Sequence, residues 1–204
     1  MKIIFVRHGK DDDKYRGGWS EIDLIPEGIE QAKQLANHLK ENNQRYIIQR
    51  IITSDLQRTM TTASFISAEL CLPIQQEVRL REMNNGELAG MLNEEALKRY
   101  PGLFFSSLKM DESYPNGESP YDFFMRIKSW FDEFIAKNRN TGVNVLIVTH
   151  GGVINIIYHL VNGIEWNNHS LLFRTSNCGV HILDVETMNF EVENNIDFLL
   201  SATH

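Results

Sequence analysis

Cysteine is scarce. Cys71 and Cys178 are the only two in 204 residues, too few for a disulfide framework or a zinc knuckle, and each reads as a small core residue rather than half of a redox pair. Long apolar runs are missing too: none approaches the roughly 20 residues that cross a bilayer. The amino-terminal stretch lacks the basic region and small-residue cleavage site of a secretory leader, so the expectation is a cytoplasmic protein with no membrane partner. There is also no excess of positive charge, since 20 Lys and Arg face 27 Asp and Glu for a formal net charge of -7. Nucleic acid is therefore disfavoured as a partner, because phosphate-backbone binding needs a basic face, and any anion site must be local. Internal repeats, linkers and low-complexity tracts are absent. With 42% hydrophobic content the chain can bury a full core, and one domain spanning residues 1–204 is expected.

What is present is organised around the first nine residues. Ile3, Ile4, Phe5 and Val6 form a short apolar run, read as a strand buried on both faces, and it empties into Arg7-His8-Gly9. In α/β sheets ligands bind just beyond the carboxyl ends of such strands, which puts a cation, an imidazole and a flexible turn where chemistry happens. The competing reading of the triplet alone is a strand-capping His8 and an Arg7 paired with a surface carboxylate. Lys10 to Ser20 is polar and turn-rich and reads as a loop over that edge, a lid or specificity loop. Its Asp11-Asp12-Asp13 run is either solvated or, with His8, a divalent-cation site, which Arg7 opposes by repulsion.

Pro26 suits a first helical turn, and Ile29, Ala32, Leu35, Ala36 and Leu39 follow at helical spacing, predicting an amphipathic helix from Pro26 to Asn42. Ile47 to Thr53 reads as a second strand. The next helix, Leu56 to Leu70, can be capped by Ser54 or Asp55, and Arg58 rides on its first turn. A cation there opposes the helix dipole and wants an anion nearby, either a bound phosphate or an acidic surface neighbour. Pro73 to Val78 reads as a third strand leading into a glycine-punctuated loop with two carboxylates, Glu82 and Glu87. Such loop glutamates are usually only solvated, but Glu82, nearest the strand end, is placed to donate a proton.

Asn93 to Arg99 and Pro101 to Met110 look like short helical pieces. The turn Tyr114 to Ser119 can cap a helix from Tyr121 to Asn138, whose aromatic stripe reads as core rather than cofactor site. Val143 to Thr149 is the strongest buried-strand signal, and it ends in His150-Gly151-Gly152 before an apolar helix from Val153 to Val161. Strand-His-Gly thus occurs twice, the second time with glycines that let a ligand approach and a helix amino terminus that favours anions. Ser176 to Asp184 and Phe190 to Glu193 close the sheet as a hairpin.

The ordered series Arg7-His8-Gly9, Ser54 to Arg58 with Thr62-Ala63, Leu80 with Glu82, Gly86 and Gly90, and Val148-Thr149-His150-Gly151-Gly152 resembles the histidine phosphatase superfamily, in its phosphoglycerate-mutase-like branch. Gly18-Trp19, Leu24, Gly28, Gln31-Ala32 and Gly117-Glu118-Ser119 extend the likeness over most of the chain. The resemblance implies a three-layer α/β/α sandwich with a mainly parallel, phosphoglycerate-mutase-like sheet built from Ile3–Val6, Ile47–Thr53, Pro73–Val78, Val145–Thr149 and Gly179–Asp184, with one strand free to run antiparallel.

It also implies that His8 attacks phosphorus and becomes a phosphohistidine, that Arg7, Gly9, Arg58, His150 and Gly151 bind the phosphoryl group, and that Glu82 is the proton donor and later the base. No metal and no cofactor are expected, because the cations neutralise the phosphoryl oxygens, and those of Arg7 and Arg58 also keep His8 unprotonated. Lys10 stands where the family has an acidic residue, and Lys14 near its usual Asn. The segment between Glu82 and His150 is shorter than in the mutases and lacks their paired arginines for a second acidic group. The expectation is thus a phosphomonoester hydrolase acting on a small phosphorylated metabolite. A cofactor-dependent phosphoglycerate mutase and a non-catalytic phosphate-binding relative are the alternatives, and monomer and homodimer are both open. Specificity is expected in Lys10 to Trp19 and Arg81 to Pro120.

Overall fold

The computed structural model describes residues 1–169 and 172–193. Alternation along one strand explains its layering. β1 (Lys2–Arg7) sends Ile3 and Phe5 into one hydrophobic core and Ile4 and Val6 into another, and all four are fully buried. Each such side chain contributes about 1.5–3 kcal/mol on leaving water. Only a strand covered on both faces needs this pattern.

β1 lies inside a six-stranded sheet of order β3-β2-β4-β1-β5-β6, with β2 at Ile48–Thr53, β3 at Ile74–Gln76, β4 at Asn144–Thr149, β5 at Val180–Asp184 and β6 at Asn189–Glu193. β3, β2, β4 and β1 run parallel, whereas β5 is antiparallel to β1 and to β6. The expected mainly parallel sheet, its one antiparallel strand and the closing hairpin are therefore found.

On one face α1 (Pro26–Glu41) and α3 (Gln57–Leu70) pack Ala32, Leu35, Ala63 and Ile66 against Ile4 and Val148; the one-turn α2 (Asn43–Tyr46) adds Tyr46. On the other, α5 (Pro120–Asn138) and α6 (Gly151–Asn162) bring Phe123, Trp130, Ile154 and Ile157 onto Ile3 and Ile147. The aromatic stripe of α5 is core, as its spacing predicts. α4 (Asn93–Arg99) is a short helix at the surface.

Several boundaries differ from the sequence reading for physical reasons. Ile47 has φ 49°, a left-handed residue that ends α2, so β2 starts one residue later. β3 is half the expected length because the Glu77 carboxylate accepts from the Arg79 amide at 3.1 Å and turns the chain into a 3-10 turn over Val78–Leu80. The helix expected over Pro101 to Met110 does not form: Gly102 sits at φ 78°, and only Phe105–Ser107 makes a single 3-10 turn. α3 begins after Leu56 with no side-chain cap. Ser54 and Asp55, the expected caps, are engaged elsewhere, Ser54 with His150 and Asp55 with Arg81.

α1 is docked on the loop after β1 backbone to backbone. A Cβ on Gly28 would lie 2.0 Å from the Lys10 carbonyl oxygen, and one on Gly9 would lie 2.4 Å from the Gly28 oxygen. Gln31 completes the junction by accepting from the Lys10 amide at 3.0 Å. Gly28→Ala sets a gain of about 1 kcal/mol in helix propensity against an overpacking cost of about 1–3 kcal/mol that rigid backbone cannot relieve. The expected outcome is a lower urea midpoint at unchanged m-value; an unchanged or raised midpoint would contradict the packing described.

Candidate functional site

The parallel register of β1 and β4 pairs Arg7 with Thr149, and the His8 amide donates to the Thr149 carbonyl at 3.0 Å. The residues that follow each strand, His8 and His150, are thereby set side by side, with ring centroids 5.2 Å apart and planes at 60°. Both are buried. The backbone turn after β1 is held by the Cys178 amide, which donates to the Arg7 and His8 carbonyls at 3.0 and 3.3 Å, and by Thr62, whose hydroxyl accepts from the Gly9 amide at 3.1 Å.

The tautomer of His8 follows from its partners. Nδ1 lies 2.7 Å from the Gly9 carbonyl, which can only accept, so Nδ1 carries the proton and Nε2 the lone pair. That lone pair faces Arg58, whose Nε–H donates to it at 3.3 Å. Arg58 is 1% exposed. Its remaining N–H groups reach the Gly18 carbonyl at 2.7 Å and the Ser20 carbonyl at 3.2 Å, and Asp11 lies 3.6 Å away. The loop Lys10 to Ser20 therefore does hang over the strand end, and it closes on Arg58. Asp11 faces a guanidinium, and among the described residues no group of three or more His, Cys, Asp or Glu is gathered to hold a metal ion.

Burial, reinforced by the Arg58 and then the Arg7 cation, holds the imidazole of His8 well below its ordinary 6.5. The sequence reading credited the arginines; desolvation is the larger cause. His150 is lowered likewise, by burial first and then by Arg58, His8 and Arg7. Its Nε2 pairs with the Ser54 hydroxyl at 3.0 Å, while its Nδ1 has no hydrogen-bond partner in the protein. Arg7 is in the same condition: one terminal nitrogen donates to the Thr175 carbonyl at 2.7 Å, and the buried Nε has no partner. Two buried nitrogens are left open beside one imidazole, the Arg7 Nε–H and the His150 Nδ1, which is a donor in the tautomer whose Nε2 accepts from the Ser54 hydroxyl. Together they make a place for an oxyanion, since an unpaired buried polar atom costs about 1–3 kcal/mol.

Glu82 is fixed at the amino terminus of α6. Its carboxylate accepts from the Gly152 amide and from its own neighbour Met83, each at 3.0 Å. Gly152 is required by proximity: a Cβ there would lie 2.3 Å from the Glu82 carboxylate. Glu87, the other loop carboxylate, is bound by Tyr100 and Asn116.

The backbone that presents Glu82 is held by a residue the sequence reading passed over as part of a core helix. Arg126 on α5 donates to the carbonyls of Arg79, Arg81 and Glu82 at 2.7, 3.0 and 3.1 Å, and pairs with Glu118 at 2.7 and 2.8 Å. Trp19 adds an indole N–H to the Glu82 carbonyl at 2.7 Å and lies under the Arg81 guanidinium at 4.6 Å.

A cavity of about 500 Å³ opens over this cluster, lined at its inner end by Arg7, His8, Glu82, Gly151 and Gly152. Its outer wall comes from Phe105 and from Trp166, Phe173 and Arg174. The last three belong to a segment to which the sequence reading assigned nothing. Their one legible signal is a pair of aromatics in a polar stretch that follows a helix ended by Gly163. Of the predicted specificity segments, Arg81 to Pro120 contributes Glu82 and Phe105, and Lys10 to Trp19 lines a second cavity of about 330 Å³ that shares Glu82, Phe105 and Gly152 with the first.

The chain is similar to several known proteins. A phosphoglycerate mutase-like protein of Arabidopsis thaliana is 30% identical over 77% of this chain and 69% of its own length. A broad-specificity phosphatase of Saccharomyces cerevisiae is 28% identical over 86% of this chain and 77% of its own. The crystal structure of an alpha-ribazole phosphatase from Shigella flexneri superposes with a TM-score of 0.78 over 95% of each chain at 22% identity, a likeness of fold. The family model of the histidine phosphatase superfamily (branch 1) matches residues 3–197, and the chain belongs to that superfamily.

Proposed function

We propose that the chain is a single-domain phosphomonoester hydrolase acting on a small phosphorylated metabolite through a phosphohistidine on His8. The observation that carries this reading is the lone pair of a neutral, buried His8 set among donors that lack protein partners, Arg7 Nε and His150 Nδ1. Membership in the superfamily and likeness to the yeast phosphatase support it. The exposed free thiol of Cys71 suits a reducing, cytoplasmic compartment.

In the first step, with Glu82 entering as the carboxylic acid, the Nε2 lone pair attacks phosphorus, the P–N bond forms as the bond to the ester oxygen breaks, and the leaving alkoxide takes the Glu82 proton. The equatorial oxygens, which carry the charge of a loose transition state, are held by Arg7, Arg58 and His150, so positioning and fixed charge supply the catalysis. The Arg58 Nε–H that rests on His8 in the free site is released to the phosphoryl oxygens as the imidazole reacts. In the second step Glu82 accepts a proton from water, the oxygen attacks phosphorus, and the P–N bond breaks to give inorganic phosphate and neutral His8.

Two cations stand beside His8, Arg7 on the cavity wall and Arg58 behind the imidazole, and we infer that no metal is needed: EDTA is expected to leave hydrolysis of an aryl phosphate largely intact. Loss on chelation with recovery on adding Mg²⁺ or Mn²⁺ would shift weight to a metal site.

His8→Ala is expected to abolish phosphoenzyme formation. Glu82→Gln is expected to retain phosphorylation of His8 by an aryl phosphate, whose leaving group needs no proton, while losing about 10²–10⁴-fold on an alkyl phosphate. Equal losses on both esters in pre-steady-state phosphorylation would remove Glu82 as the acid.

The neutrality of the buried imidazoles also shows in stability. His8 and His150 are held well below 6.5 in the fold, and burial brings His181 down to about 4. In the unfolded chain all three titrate near ~6.5. Unfolding between those values takes up protons, so stability that is complete above pH ~6.5 drains as the pH falls. The urea midpoint is expected to drop from pH 7 to pH 5, before carboxylates with ordinary values near ~4 contribute; a midpoint flat over that window would mean that the imidazoles titrate normally in the fold.

A further inference from the structure

The inner end of the 500 Å³ cavity accounts for a phosphoryl group, and its outer half is walled by Phe105, Trp166, Phe173 and Arg174. Arg174 is the one formal charge on that outer wall. It is exposed and makes no hydrogen bond or ion pair among the described residues, in contrast to Arg79, Arg81, Arg99 and Arg126, each paired with a carboxylate. Arg16, Arg50 and Arg139 likewise have no carboxylate partner among the described residues, but of these four only Arg174 lines the cavity that holds His8.

The backbone around it is fixed on both sides. The Phe173 carbonyl accepts from Asn155 Nδ2 at 3.0 Å, and Asn155 is itself held through its Oδ1 by the Trp166 indole at 3.0 Å. The Thr175 carbonyl accepts from Arg7, one of the two phosphoryl-binding arginines, at 2.7 Å. The backbone that carries Arg174 is thus tethered to the phosphoryl end of the cavity, and the side chain springs from a fixed point. A guanidinium in that position matches an anionic group bidentately.

We propose that Arg174 forms a subsite for a second anionic group, a carboxylate or a second phosphate, on the organic part of the substrate. The subsite selects metabolites whose organic part carries a second anionic group over phosphomonoesters with uncharged organic parts. This deepens the phosphatase reading and rests on it for the identity of the inner site, but its test needs no turnover.

The test is calorimetric titration with phosphonates, which cannot be hydrolysed. Wild-type protein is titrated with ω-carboxyalkylphosphonates of two to six methylenes, with alkane bisphosphonates of the same lengths, and with plain alkylphosphonates as the reference. At the length that spans the cavity, the second anion is expected to tighten binding about 10- to 100-fold over the reference, the range of one charge-assisted bidentate contact. Arg174→Ala is expected to erase that gain, and Arg174→Lys to restore part of it. The carboxylate and bisphosphonate series decide which anion the subsite takes. Equal affinity of charged and plain phosphonates at every length in the wild type, or a gain that survives in Arg174→Ala, would overturn the subsite. Failure of the phosphatase reading is distinct, because it would appear as absent turnover while these affinities stand.

Discussion

The register of one parallel strand pair is the constraint on which the site depends. β1 and β4 end at the same level because Arg7 lies opposite Thr149, and each strand delivers a histidine as its next residue. A slip of one residue would turn every side chain of β1 to the opposite core. Ile3 and Phe5 would then meet α1 and α3 in place of α5 and α6, a cost of many buried contacts. The spacing of His8 and His150 is thus enforced by the hydrophobic packing of residues that never meet a ligand.

Around that pair the electrostatics are arranged to keep the histidines neutral and the cations in place. Burying Arg58 is costly unless its donors are satisfied, and the structure satisfies them with the carbonyls of Gly18 and Ser20 and the lone pair of His8. Mostly neutral acceptors serve where a tight carboxylate pair would cancel the charge; among the described residues Asp11, at 3.6 Å, is the nearest anion, with Glu82 and Glu21 acting from farther away. Glu82 sits at the amino terminus of α6, where its carboxyl group accepts from the Gly152 amide. Arg126 holds the loop that carries Glu82 through three backbone carbonyls, so the carboxyl group is positioned from α5 as well as from α6.

Most of this was legible where chemistry and periodicity coincide. The two strand-His-Gly stretches and Arg58 stood out because each sits at a strand end or helix start, whereas Glu82, in a loop six residues past β3, and the three-layer sandwich came with the family resemblance. Glycines at 9, 28 and 152 read as motif members; only the coordinates show that they are demanded by backbone or carboxylate contacts under 2.5 Å from an added Cβ. What stayed hidden depends on tertiary pairing. Arg126 looks like any polar residue on an amphipathic helix until its carbonyl partners come from a loop 44 to 47 residues away. The wall at Trp166 to Thr175 carries no periodicity, and the false helix at Pro101 to Met110 came from composition that Gly102 and its left-handed backbone overrule.

The order of strands in the sheet has a kinetic side. β1 is made first, yet Ile3 finds its neighbours at Val145 and Leu183, so both of its ladders wait for the last third of the chain. Such non-local pairing gives a high contact order and slow folding, since loop entropy is spent before the pairing rewards it. Until β4 and β5 arrive, Ile3 to Val6 is an unpaired apolar edge exposed to other chains. His8 therefore meets His150 only when the fold is essentially complete, and a truncated or stalled chain carries the residue without its surroundings.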